Sequence, residues 1–159
     1  MEMPKPQQEH LWLQRFLGEW DYDSECSMGP DAPPAKTSGT QSFQKLGDVW
    51  IVGDWRGECP DGSPSKSIIT LGYDPAKNAF VGTFVSSMMT GLWIYEGQLK
   101  GDVLTLDTEG PSFKGDGSLA KYQDVFETVD ENTHKLTSRA LGEDGTWTTF
   151  MTADFRRRK

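Results

Sequence analysis

From Gly18 onward the chain is a succession of short runs in which polar and apolar residues alternate, each run closed by a turn, with no stretch of helical period between them. This feature constrains the fold more than any other. A side-chain period of two makes strands, and without intervening helices there are no crossovers from which to build a parallel sheet. The first run is the clearest. Trp20, Tyr22, Ser24, Cys26 and Met28 alternate with Glu19, Asp21, Asp23, Glu25 and Ser27, giving one buried face and one wet, acidic face. The proline-rich "MGPDAPPAK" then turns the chain, and further runs follow: "TSGTQSFQKL", "VWIVGDWRGE", "SIITLGYD", "AFVGTFVSS", "LWIYEGQL", "VLTLDTE", "LAKYQDVFETV", "THKLTSRAL" and "TWTTFMTADFRRR". Glycine, proline, Asn and Asp punctuate them at the spacing of hairpins. The expected fold is all-β, an antiparallel up-and-down barrel of about ten strands, because closure removes the edges that so many strands would otherwise expose.

One segment is different. In "QQEHLWLQRFL", Trp12, Leu13, Phe16 and Leu17 recur at helical spacing, after Pro4 and Pro6 and before Gly18. The pattern predicts a capping helix over 7–17, with the barrel over 18–159 in the same single domain (1–159). Gly18 turns the backbone without a Cβ clash, and Trp20 fills the barrel floor. First and last strands of a barrel are neighbours, so a cation from the terminal "RRRK" is expected over the indole, with Arg156 or Arg158 as the choices.

Charge and composition exclude several functions. Sixteen Lys and Arg face 24 Asp and Glu, for a formal net charge of −8, a surface that repels nucleic-acid backbones. No apolar run approaches the roughly 20 residues of a membrane-spanning helix, and the polar start lacks the order of a signal peptide. The expectation is a cytoplasmic protein with reduced Cys26 and Cys59, no nucleic-acid partner and no membrane partner. Cys26 reads as a small core residue and Cys59 as a strand-end or loop thiol. The two histidines, His10 on the helix and His134 beside a turn, have no second ligand at zinc spacing, and both read as surface or helix-packing residues. No phosphate-binding loop or nucleophile elbow occurs, so no metal and no cofactor are expected.

Several stretches carry a more specific likeness. Gly18-x-Trp20 at the head of the first strand resembles the lipocalin and calycin barrels. The runs "LGEW", "LGYDP", "FVGTF", "SSMMT", "LWIYEG", "LTLDTEGPSF" and "AKYQDVFE" together are similar to the bacterial family catalogued as domain of unknown function 1579, over essentially the whole chain. The resemblance implies a calycin-like barrel and brings no established activity and no catalytic residue. In that family a histidine often stands where this chain has Gly91, and another where it has Asp154, so roles resting on those imidazoles are not carried over.

The remaining chemistry lies in aromatics, methionines and carboxylates. Trp50, Asp54, Met88, Met89, Trp93, Tyr95, Tyr122 and Asp124 are expected to line a pocket for a small, largely apolar molecule, with Gly53, Gly72, Gly82 and Ser86 leaving room. Asp124 and an arginine, Arg56 or Arg139, would orient the guest's polar end, because an unpaired buried charge is costly. Trp147, Met151 and Phe155 read as one face of the last strand. An alternative is an enzyme that uses Tyr122 and Asp124, with Glu109, as an acid–base pair; a homodimer is a further possibility.

Overall fold

The structure, a computed structural model, describes residues 1–59 and 61–159. A single turn and a half of α-helix, α1 (Gln8–Leu13), tightens into a 3-10 turn over Gln14–Phe16. Ten strands follow: β1 (Gly18–Cys26), β2 (Ala35–Leu46), β3 (Trp50–Glu58), β4 (Pro64–Asp74), β5 (Ala79–Ser86), β6 (Trp93–Lys100), β7 (Val103–Pro111), β8 (Leu119–Asp130), β9 (Thr133–Leu141) and β10 (Trp147–Arg157). Each pairs antiparallel with the next in sequence, and β10 returns to pair with β1, closing the barrel. The chain is thus the all-β, up-and-down barrel with one short N-terminal helix. The helical segment is shorter than its apolar pattern suggests, because its last turn narrows to reach Gly18.

The two ends of the barrel differ. Turns of two to four residues join β2 to β3, β4 to β5, β6 to β7 and β8 to β9 at the end nearest the helix. Longer connections, such as 27–34, 87–92 and 112–118, surround the opposite mouth.

The helix end is packed solid. Leu13 and Phe16 descend from the helical segment onto Trp20, Phe43, Phe80, Leu104, Phe126 and Phe155, all at most 2% exposed. His10 ties the helix to the rim. Its Nδ1 accepts the Gln7 backbone N–H (2.8 Å), so Nε2 carries the proton and donates to the Tyr73 carbonyl (2.9 Å).

Trp20 donates its indole N–H to the Phe16 carbonyl (2.8 Å), and the Arg157 guanidinium lies 4.2 Å from its ring centroid. Arg157 also donates to the carbonyls of Leu17 (2.6 Å), Arg15 (3.0 Å) and Glu131 (2.9 Å). Gly18 sits at φ +116°, and a Cβ there would stand 2.8 Å from Arg157 Nη1, so glycine is required both by conformation and by the arginine's approach. The expectation of Arg156 over the indole is corrected. Trp20 opposes Arg157 in the β1–β10 register, while Arg156 points outward to Asp23 (2.8 Å) and Arg158 to Asp21 (3.1 Å).

His134 overturns its surface reading. It lies inside this floor, 1% exposed, stacked on Phe155 (4.3 Å between centroids) and edge-on to Trp20 (4.2 Å) and Phe16 (5.0 Å). Neither ring nitrogen has a hydrogen-bond partner among the described residues. Burial, reinforced by the nearby Arg157 charge, lowers its pKa from 6.5 to about 3.

Candidate functional site

The half of the barrel away from the helix is built differently. Several of its inward side chains, Tyr22, Trp55, Phe84, Trp93 and Met151, are only partly buried, in contrast to the sealed floor, while Tyr95, Tyr122 and Ser138 are buried. Alternation from well-buried anchors fixes which side chains turn in. On β3 these are Ile51, Gly53 and Trp55; on β6, Tyr95 and Gly97; on β8, Tyr122, Asp124 and Phe126; on β9, His134, Leu136 and Ser138.

A polar cluster forms where β6, β8 and β9 face the interior. Tyr95 donates its hydroxyl to Asp124 Oδ2, and Ser138 donates to Asp124 Oδ1 (2.6 Å). Burial raises the Asp124 pKa above the ordinary carboxylate value, and the hydrogen bonds from Ser138 and Tyr95 pull it back down. Tyr95 is held well above the usual phenol value, first by burial and then by the Asp124 charge. Among the described residues no cation joins the cluster. Arg56 lies outside on Asp54 (3.5 Å), and Arg139 lies outside on Gln123 (2.7 Å) and over the Trp147 ring. Further inward polar atoms have no hydrogen-bond partner among the described residues: both amide atoms of the fully buried Gln41, Trp55 Nε1 and Thr108 Oγ1.

Aromatics surround the cluster. Trp93 packs edge-on against Tyr122 (5.3 Å), whose hydroxyl donates to the Pro111 carbonyl, and Trp55 packs against Phe84 (5.5 Å). Phe113, from the glycine-rich loop, touches both Tyr122 (5.7 Å) and Phe150 (5.1 Å) at the mouth. Met88 and Met89 are exposed on the β5–β6 connection, and the Trp93 indole N–H donates to Met89 Sδ (2.9 Å). Trp93 lies over Gly110, where a Cβ would fall 2.2 Å from two of its ring carbons. Gly110→Ala is therefore expected to cost about 1–3 kcal/mol by overpacking. It should also shift tryptophan emission to the red as Trp93 is pushed toward solvent; thermal unfolding and fluorescence spectra check both effects.

Sequence reading places Trp93, Tyr95, Tyr122 and Asp124 on the interior face, and the structure turns all four inward, with Tyr95 on Asp124 and Trp93 against Tyr122. It does not bring Trp50, Asp54 or Glu109 to them. Trp50 covers Gly72 from outside, and Asp54 faces an outer groove beside Ser42, Val52 and Arg56. Glu109 stands on an outer groove of about 690 Å³ with Ile94, Lys121 and Trp147. In each case the strand's phase is set by the opposite parity: Ile51 and Gly53 on β3, Leu106 and Gly110 on β7. The glycines expected to leave room are largely covered by neighbours, Gly53 by Phe43 and Ile69 and Gly72 by Trp50. Cys26 is a half-buried residue at the open rim rather than a core residue. Ser138, Gln41 and Trp55 were not among the expected site residues; the alternation of His134, Leu136 and Ser138 along β9 was the available signal.

Among the described residues no group of three or more His, Cys, Asp or Glu side chains is placed to hold a metal ion, and no helix is long and apolar enough to cross a membrane. A family model described as "protein of unknown function (DUF1579)" matches residues 5–157. No curated protein matches the chain. Among solved structures, the crystal structure of Rv2717c from M. tuberculosis superimposes with a TM-score of 0.65 at 14% identity, covering 98% of this chain and 100% of that one. The S-type phycobiliprotein lyase CPES from Guillardia theta gives 0.61 at 14% identity, covering 97% and 99%. The structure of EF1p2_mFAP2b bound to DFHBI gives 0.52 at 16% identity, covering 95% and 100%. At these identities the likeness is one of fold.

Proposed function

The chain belongs to the DUF1579 family, and from that membership, which supplies a barrel and no activity, we propose that the protein holds a small, largely apolar molecule in the open half of the barrel. The observation that carries this reading is the contrast between the two halves. The floor is closed with apolar side chains around the His134 imidazole, whereas the open half turns a carboxylate, several hydroxyls and, among the described residues, unpaired amide and indole groups toward its interior. Buried polar groups left without partners cost about 1–3 kcal/mol each. A stable barrel that keeps several of them on one inner face has a use for them, and apolar walls with a few oriented polar groups are the usual form of a small-molecule site. Proteins of similar fold bound to DFHBI support the same reading.

The test is direct. Native mass spectrometry of the purified protein, together with tryptophan quenching across a panel of lipids and metabolites, is expected to yield a bound guest that alters emission from Trp55 and Trp93. No co-purifying mass and no quenching by any compound would sink the reading. A catalytic role would rest on Tyr95 and Asp124, since Tyr122 is bonded to a backbone carbonyl and Glu109 lies outside. Turnover that Tyr95→Phe abolishes while binding persists would establish it.

A further inference from the structure

The charge on the inward face of the open half is one-sided. Asp124 is the sole acidic residue at an inward strand position among the described residues. On the ten strands the lysines and arginines stand on the outer face or, as Lys45 and Arg157, at the closed rim. Lys114, on the open rim, is paired with Glu143. Asp124 thus has two hydroxyl donors and, among the described residues, no counter-ion. Each of its oxygens accepts one of those hydroxyls and keeps further lone-pair capacity for another donor.

Resting on the binding reading above, we infer that the guest is an amphipathic amine, a compact apolar body ending in a protonated ammonium that docks on Asp124. A cation supplies the charge that the cluster lacks, and a charge-assisted hydrogen bond to the carboxylate is about twice as strong as a neutral one. The walls favour the same sign. The faces of Tyr95, Trp93, Tyr122 and Trp55 carry negative quadrupole density, which attracts ammonium groups. The protein's net charge of −8 raises the local concentration of cations. A guest headed by carboxylate or phosphate meets a like charge in a poorly hydrated space, which is strongly disfavoured. A guest headed by a neutral hydroxyl leaves the carboxylate without a counter-ion.

Three compounds of nearly equal size separate these cases: 2-phenylethylamine, 2-phenylethanol and 3-phenylpropionate, titrated calorimetrically at pH 7 into wild type and Asp124→Asn. The expected result is that the amine binds at least tenfold more tightly than the alcohol, with the carboxylate weakest, and that Asp124→Asn brings amine and alcohol to within a factor of two. NMR amide shifts on titrating wild type with the amine are expected to centre on Tyr95, Asp124 and Ser138, which tests the site even if the variant does not fold. If the alcohol or the carboxylate binds as tightly as the amine, the inference is overturned while the binding reading stands. The same holds if Asp124→Asn keeps the preference, or if the shifts map to the acidic outer face. If none of the three binds and no guest co-purifies, both are overturned.

Discussion

Lowering the pH from 6.5 toward 3 is expected to destabilise the protein by about 1.4 kcal/mol per pH unit through His134 alone, reaching roughly 4 kcal/mol. The sign follows from the direction of the shift. In the unfolded chain the imidazole takes a proton below about 6.5; in the folded barrel it does so only near 3. Between those values the unfolded state binds one more proton, so folding stability falls as acid is added. Above pH 6.5 both states hold a neutral ring and the contribution is constant. The cause is physical exclusion: an imidazolium between Phe155, Phe16 and Trp20, beside the Arg157 guanidinium, is cut off from solvent and has no anion among the described residues to compensate it. Urea unfolding at a series of pH values measures the slope. His134→Leu should remove most of it and, because two unpaired ring nitrogens are lost from the core, should hold or raise stability at pH 7. An unchanged slope in that variant would mean that other groups carry the acid sensitivity.

Trp20→Ala should cost about 3–5 kcal/mol, the usual penalty for removing a large buried aromatic. It removes the indole N–H bond to Phe16 and the surface on which Arg157 rests as well as the buried area. Arg157→Ala isolates the second part. It leaves Trp20 in place but withdraws the donors from the Leu17, Arg15 and Glu131 carbonyls, at an expected cost of about 2–3 kcal/mol. Because both residues secure the helical segment to β10, their effects should be markedly non-additive in the double variant. Arg156→Ala, which breaks only an exposed pair with Asp23, is expected to change stability by less than about 1 kcal/mol. Chemical denaturation of the four variants compares these values, and a large effect of Arg156→Ala with a small effect of Arg157→Ala would reverse the assignment.

The barrel was legible because alternation is a local signal. Ten runs, each joined to the next by a turn or loop too short to hold a crossover helix, leave little choice of topology, and the strand limits follow the turn residues closely. The site was legible only where a strand carries its aromatic residues on one parity. β8 does so, with Tyr122 and Phe126 flanking Asp124, and β6 does so, with Trp93 and Tyr95. β3 carries tryptophans of both parities, so Trp50 and Asp54 looked as eligible as Trp55; cross-strand register against Phe43 and Ile69 decides between them, and register is not local. On β10 the ladder shifts between Thr149 and Met151, which places Trp147 outside and Met151 and Phe155 inside although all three have the same parity. The three consecutive arginines that follow illustrate the same limit, since a shift of one residue separates the outer pair to Asp23 from the seat on Trp20. His134 was misread because nearness to a turn suggested solvent, whereas its ring faces the barrel axis under the helical segment. The bond from Tyr95 to Asp124 spans 29 positions and has no sequence pattern of its own.

The unequal construction of the two ends has an evolutionary consequence. Phe16, Trp20 and Arg157 concentrate cohesion at one end, while the connections around the other rim contribute few buried apolar side chains. Substitutions at that rim can therefore accumulate with little thermodynamic penalty, and relatives that share the same foundation are free to diverge in what they admit.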